Sequence, residues 1–340
     1  MKLCSENQSS CEIIHSNLLF MESIKTKFKS SSTESKQVKN STSPNAFLQP
    51  FMQEIIHRMH ALGKVRTGET YTSTLNSFMR FLQGRDILWE EFDADLLVSY
   101  EAYLKSTGVD MNTVSFYNRI LRAVYNRAVE KGLTVQRYPF KYVYTGIGKT
   151  VRRGLSLKVI RNIKHMELSA LPLLDYARDM FLFSFYTRGM SFIDMAYLKK
   201  SDLKNGILSY RRKKTGQRLL VRWEKNMQEI LDKYPVTQGS PYLLPIIREV
   251  GIKERTQYNN ALHLVNRKLK FIGKMLDVSI PLTMYVARHS WASVAKNKNI
   301  PLSVISEGMG HDSENTTLIY LASLDTAIVD SANRLIINSI

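Results

Sequence analysis

From Thr67 to about Gly132 apolar residues recur every three or four positions, the period of a helix with one buried face. The run T-G-E-T-Y-T-S-T-L-N-S-F-M-R-F-L predicts a first helix that ends at Gly84. D-A-D-L-L-V-S-Y-E-A-Y-L predicts a second, with Asp93 as its N-cap and Gly108 as its stop. A third is expected to begin at an Asn112-Thr113 cap and to carry Ile120, Leu121, Val124 and Tyr125 towards Gly132. Upstream, Pro50 opens a helical pattern through Met52, Ile55, Ile56 and Met59. Short connections between such helices make antiparallel neighbours, so this half reads as a compact all-helical domain.

The pattern changes after T-G-I-G-K-T-V-R-R-G-L at 145–155, three glycines and three basic residues that read as a linker. Helical periods follow at 156–165 and 172–187. At 206–223, G-I-L-S-Y-R-R-K-K-T-G-Q-R-L-L-V-R-W alternates on both sides of Lys214-Thr215-Gly216-Gln217, which predicts a β-hairpin with a basic turn. Y-L-L-P-I-I at 242–247 is a further candidate for a short extended segment. Long helical patterns then run over 256–276, 286–297 and 301–309, and again beyond Tyr320. The expected fold is mainly α with a small antiparallel β-sheet. The first 45 residues are rich in Ser, Thr, Lys and Asn, bury little, and read as a basic arm with some helix between Ile13 and Lys29.

Charge narrows the function. The 340 residues include 48 Lys and Arg against 30 Asp and Glu, a formal net charge of +18, which favours a polyanionic partner through phosphate neutralisation. No apolar run approaches the roughly 20 residues of a membrane span. The stretch from Ile13 to Met21 lacks a basic n-region and a cleavage site, so no signal peptide is expected. Cys4 and Cys11 form neither a disulfide framework nor a metal site, and the seven histidines are scattered. Metal-free, cofactor-free chemistry in a reducing bacterial cytoplasm, associated with the nucleoid, is the expectation.

Three residue types at fixed intervals specify that chemistry. Arg288, in A-R-H-S-W-A-S at 287–293, lies 23 residues before His311, and His311 lies nine before Tyr320, in G-M-G-H-D-S-E-N-T-T-L-I-Y at 308–320. A tyrosine is a weak nucleophile at its reference pKa of about 10 and needs a prepared site. Attack on a phosphodiester builds charge on the non-bridging oxygens, which a planar, permanently charged guanidinium can bind in pairs. The departing 5′-hydroxyl needs an acid, and a lysine on a hairpin can supply one.

With these motifs the second half resembles the catalytic domain of the tyrosine recombinase (phage integrase) family, and the first resembles its SAM-like helical core-binding domain. The resemblance rests on A-R-H-S-W-A at 287–292, Gly310-His311 and T-T-L-I-Y at 316–320, and covers all but the N-terminal arm. It implies an arm at 1–45, a core-binding domain at 46–145, a linker at 146–155 and a catalytic domain at 156–340, closing as a clamp on duplex DNA. Tyr320 would be the nucleophile, Arg288 a phosphate clamp, His311 a phosphate hydrogen-bond partner, and Lys214 or its neighbour Lys213 the general acid, with Lys214 preferred. Asp194 falls where the family keeps an acidic residue that braces an active-site arginine.

Two positions depart from the family pattern. Tyr285-Val-Ala-Arg288 stands where the family has His-x-x-Arg, and S-F-I-D-M-A-Y-L-K-K-S-D-L at 191–203 puts Ser191 at the first catalytic arginine. The Ser-for-Arg pattern also resembles integrases of mobile elements of gut anaerobes. Arg188, three residues earlier, reads either as the substitute or as an ion-pair partner of Asp194; Tyr285 reads as a hydrogen-bond donor to phosphate. Lys64, Arg66, Thr67, Thr70 and Tyr71 at a helix start, with Arg152, Arg153 and Lys213, are the candidate DNA contacts, although a plain helix cap explains the threonines equally well.

The function implied is site-specific recombination (integration, excision or inversion) through a covalent 3′-phosphotyrosyl intermediate. A type IB topoisomerase-like relaxing enzyme and a catalytically impaired DNA-binding protein of the same fold are the alternatives. The expected partners are double-stranded DNA bearing recombination sites, a homotetramer joined on DNA through the C-terminal helix, and DNA-bending accessory proteins; a membrane is not among them.

Overall fold

A computed structural model describes residues 46–148, 154–311, 313–318, 334, 337 and 338. The chain divides into two compact units, one running to Lys149 and the other from Thr150. The arm at 1–45 and the segment after Tyr320, apart from three isolated residues, lie outside the described residues, and with them the helices expected there.

Among the described residues the first unit holds four α-helices, α1 (Leu48–Ala61), α2 (Val65–Phe81), α3 (Ala94–Ser106) and α4 (Met111–Glu130), and a 3-10 turn at Trp89–Glu91. Asp93 caps α3 as expected, its carboxylate accepting the Leu96 N–H at 2.8 Å. The cap of α4 is Asp110 and not the Asn112-Thr113 pair: its carboxylate accepts the Asn112 N–H at 2.8 Å, and the helix starts at Met111. The core is aromatic. Trp89, Tyr100, Tyr125, Phe51, Phe78 and Phe92 are all buried, and Phe92 stacks on Tyr125 with ring centroids 5.4 Å apart.

Polar side chains from α3 and α4 tie down the segment that leaves this unit. Glu101 accepts the Tyr144 N–H at 2.6 Å, Asn118 donates to the Tyr144 carbonyl at 3.1 Å, and Asn112 accepts the Gly148 N–H at 2.8 Å. Ser115 bonds the Gly146 carbonyl. Asn112, Ser115 and Asn118 are spaced three apart, so they line one stripe of α4, and 144–148 lies along it. The first residues of the expected linker, 146–148, are therefore fastened to a helix.

The second unit comprises α5 (Leu157–Lys164), α6 (Pro172–Tyr186), α7 (Phe192–Ala196), β1 (Leu203–Lys204), β2 (Ile207–Arg211), β3 (Arg218–Arg222), α8 (Lys225–Lys233), α9 (Glu254–Met275), α10 (Met284–Asn297), α11 (Leu302–Met309) and α12 (Glu314–Leu318). Helix α6 is the central element, with Met180, Phe181 and Phe183 fully buried in a core shared with α9 and α10. The hairpin forms around the basic turn, with Leu208 opposite Val221 and Tyr210 opposite Leu219. A two-residue strand adds a third antiparallel member in the order β1-β2-β3. The apolar 242–247 segment contributes only the single bridge between Lys199 and Tyr242, and α7 and α8 go beyond the expected helices.

Candidate active site

Arg288 projects from the buried side of α10 and is only 5% exposed. Its Nη1 donates to the Gly189 carbonyl at 2.8 Å, and its Nη2 donates to the Met309 carbonyl at 2.7 Å. The same Nη2 lies 2.8 Å from His311 Nε2. One guanidinium thus joins the turn after α6, the end of α11 and the histidine. Gly189, at φ +75°, makes the first contact possible, because a β-carbon there would stand 2.7 Å from the Arg288 Cα.

His311 owes its place to the way α11 stops. Gly310 adopts the left-handed conformation (φ +65°), and the His311 N–H reaches back to the Ser306 carbonyl at 3.0 Å, a Schellman turn. Because guanidinium only donates, His311 Nε2 must accept, which puts the neutral ring's proton on Nδ1. That Nδ1 lies 2.7 Å from the hydroxyl of the fully buried Thr317 on α12, three positions before Tyr320. Burial first, and the charges of Arg288, Arg212 and Lys214 acting in the same direction, together lower the His311 pKa to about 4. The ring is neutral at pH 7, as this hydrogen-bond chain requires.

The hairpin meets the histidine turn. Leu208, Tyr210 and Arg212 share the inward face of β2 and its extension, in period two. Arg212 is 7% exposed, and its Nη1 donates to the Gly310 carbonyl. A β-carbon at Gly310 would lie 2.9 Å from both Arg212 Cδ and Gln217 Oε1 and 3.1 Å from Leu219 Cδ1. Buried Tyr210 is held protonated by desolvation, and the charges of Asp194, Arg288, Arg212 and Arg188 all act on its phenol.

Asp194, 4% exposed, accepts from the Ser191 hydroxyl at 2.6 Å and from the Lys213 backbone N–H at 2.7 Å. Its oxygens therefore brace the hairpin backbone, and among the described residues no ion pair joins it to Arg188. The reading of Arg188 as Asp194's salt-bridge partner is thus corrected. Ser191 caps α7. Arg188 is half-buried, with φ +62° and its Cδ beside Gly308. Lys213 holds its ammonium 4.3 Å from the Tyr197 ring centroid, whereas Lys214 is exposed and its charge acts on His311. Tyr285 is 49% exposed and meets His289 edge-on at 4.6 Å.

Tyr320, Arg152 and Arg153 lie outside the described residues. In the first unit Lys64, Arg66 and Thr67 are exposed around the start of α2, Arg66 pairing with Glu69 at 3.2 Å. Neither threonine caps the helix: the Thr70 hydroxyl donates back to the Thr67 carbonyl at 2.7 Å. Tyr71 is a correction, since it is buried in the aromatic core with the Arg127 guanidinium over its ring. Thr317, Arg212 and Gln217 are the site residues that motif reading passes over. For Arg212 the signal was present, because it is in phase with Leu208 and Tyr210.

Residues 47–143 match the phage integrase SAM-like domain family. A probable integrase/recombinase protein of Methanocaldococcus jannaschii is 31% identical over 132 residues, which is 38% of this chain and 40% of that relative. Among solved structures, a lambda integrase dimer bound to a COC′ core site matches with a TM-score of 0.61 at 16% identity, covering 81% of this chain and 95% of that one. A lambda integrase tetramer bound to a Holliday junction matches with a TM-score of 0.63 at 16% identity, over 84% and 78%. The Tn1549 transposon integrase in complex with a circular intermediate DNA matches with a TM-score of 0.61 at 13% identity, over 84% and 98%. The first unit thus matches an integrase SAM-like domain, and the chain has the lambda integrase fold over four fifths of its length.

Proposed function

We propose that this protein is a site-specific DNA recombinase that cuts and rejoins double-stranded DNA through a covalent 3′-phosphotyrosyl intermediate. The observation that carries the reading is the chain from Arg288 through His311 to Thr317, which ends three residues before the only tyrosine of the T-T-L-I-Y motif. Arg288 would take the non-bridging oxygens of the scissile phosphate, exchanging part of its present bonds for them, and His311, taking up a proton at Nε2 as the anion arrives, would donate to one of them. The Tyr320 oxygen attacks phosphorus and loses its proton to solvent. The bond from phosphorus to the 5′-oxygen breaks, and Lys214 protonates that oxygen. The ester retains the phosphodiester's energy, so a partner strand's 5′-hydroxyl can reverse the step and displace Tyr320. Lys213, on the Tyr197 ring, is the poorer acid, and Tyr285 would meet the DNA from the exposed start of α10.

In this reading residues 46–145 are the core-binding domain, with Lys64, Arg66, Thr67 and Thr70 contacting phosphates. Residues 146–155, with Arg152 and Arg153, are the linker, and 156–340 are catalytic. Four copies assemble on two recombination sites through the C-terminal helix, with DNA-bending proteins assisting, in the bacterial cytoplasm on the nucleoid. No helix among the described residues is long and apolar enough to cross a membrane.

The test is a nicked suicide substrate that traps the covalent adduct. Tyr320→Phe is expected to abolish the adduct while half-site binding stays within a fewfold of wild type. An adduct that persists, or that maps to another tyrosine, rejects the assignment. Relaxation of supercoiled DNA by a monomer would move the protein to the topoisomerase class.

A further inference from the structure

A phosphate whose two non-bridging oxygens gain charge needs more than one cation beside it, and Arg288 is the only arginine that motif spacing identifies. The position aligned with a second arginine holds Ser191, whose hydroxyl is occupied in capping α7 and in bonding Asp194. Arg188 is near in sequence. Its side chain, however, runs beside Gly308, and its charge acts on Tyr210, whereas the charges that act on His311 are Arg288, Arg212 and Lys214.

We propose that Arg212 is the second phosphate-clamping arginine of this active site, supplied by the hairpin in place of the residue at 191. The inference rests on the recombinase reading above. Four observations support it. Arg212 lies on the inward face of the hairpin, one step beyond Leu208 and Tyr210, so its guanidinium leaves the core where the strand does. Of its three guanidinium nitrogens only Nη1 bonds a described residue, and that partner is the neutral Gly310 carbonyl next to His311. No carboxylate pairs with it among the described residues, although Arg212 is 7% exposed. A nearly buried cation without a counter-charge is costly to hold, and an anion beside it removes that cost.

The fourth observation is how rigidly the guanidinium is placed. The Asp194 carboxylate fixes the Lys213 backbone, and the Arg212 N–H donates to the Gln217 carbonyl at 2.9 Å. Gln217 and Leu219 pack with Arg212 against Gly310. The packing on Gly310 leaves the guanidinium little room to move. A clamp that is set before substrate arrives does not have to reorganise when charge develops.

Arg212 also anchors Gly310, so a simple loss of activity would not separate contact with phosphate from support of the histidine turn. The experiment therefore compares two suicide substrates, one with an ordinary scissile phosphodiester and one with a methylphosphonate, which carries no charge at that phosphorus. Arg212→Ala is expected to slow adduct formation about 10²- to 10³-fold on the phosphodiester, the range for loss of one preorganised donor. On the methylphosphonate most of its deficit relative to wild type is expected to disappear, because no anion is left to neutralise. Arg212→Lys should show a smaller deficit with the same recovery, and Arg188→Ala should show none of the selective recovery. An equal deficit on both substrates, or selective recovery in Arg188→Ala alone, overturns the proposal. If Arg212→Ala does not fold, as judged by its melting curve, Arg212→Lys decides by the same comparison. Absence of any adduct with the wild-type chain would instead reject the recombinase reading itself.

Discussion

At the scale of single residues, the site is organised around a histidine kept neutral. Its pKa falls from 6.5 in the unfolded chain to about 4 when folded, so between those values the unfolded state binds the extra proton. Stability should therefore be full above pH 6.5 and decline as pH drops towards 4. His311→Gln should flatten that part of a denaturant midpoint-versus-pH curve, and an unchanged slope would show that other groups dominate. A phosphate beside the ring acts in the opposite sense, favouring imidazolium, so half-site affinity should rise as pH falls from 6.5 and should lose that trend in His311→Gln. Thr317→Val removes the acceptor for Nδ1–H and should cost about 1–3 kcal/mol of stability by urea unfolding, with Thr317→Ser near wild type. Arg288 and His311 were legible because motif and interval name them. Thr317 and Arg212 were less so, since a hydroxyl in a helix and an arginine in a basic turn are common on any surface, and only strand phase distinguishes Arg212 from Arg211.

At the scale of elements, α6 is held by charge as well as by its apolar core. Arg178 bonds Asp175 and Asp179, Lys233 on α8 bonds both carboxylates, and the Tyr234 hydroxyl donates to Asp179 at 2.8 Å. Asp179→Ala would leave Arg178, itself 9% exposed, short of a partner, and should destabilise the protein by about 3–5 kcal/mol in chemical denaturation. A loss under 1 kcal/mol would mean that the network relaxes around Asp175. The long helices and the hairpin were readable because each has a sustained period. Helix α8 was harder, as Met227, Ile230 and Leu231 supply its only apolar stripe. The start of α4 was misplaced because Asp110, Asn112 and Thr113 are all good capping residues, and only the hydrogen bond to the Asn112 N–H chooses among them. The aromatic first core explains the fate of Tyr71: its i, i+4 relation to Leu75 puts it on the buried stripe despite its place near a helix start.

For the whole molecule, a net charge of +18 predicts binding governed by counterion release. If six to ten phosphates are neutralised, half-site affinity should fall roughly 10³- to 10⁵-fold between 50 and 200 mM salt, and a shallow slope would argue against an extended backbone interface. The tail holds Ile328, Val329, Leu335 and Ile336, an apolar set suited to docking on a neighbouring copy. Deleting 326–340 should weaken synapsis and recombination far more than single half-site binding, and full recombination by the truncated protein would exclude that role. Two helical units and a hairpin were visible in the pattern of the chain. The assembly of the site was not, because Arg288, Arg212 and His311 meet through carbonyls at Gly189, Met309 and Gly310, and no side-chain pattern announces a carbonyl.

The side-chain rungs along α4 change what kind of object the segment at 144–148 is. With the Tyr144 and Gly148 amides bonded to Glu101 and Asn112, their deuterium uptake should follow the opening of the helix pair and not the rapid exchange of a surface loop. Glu101 serves both the Tyr144 amide and the Asn118 side chain, so Glu101→Ala should release the segment in one cooperative step. A protease would then find a cleavage site where the intact protein offers none, and α4 would keep its own core contacts while losing the strand of chain laid along it.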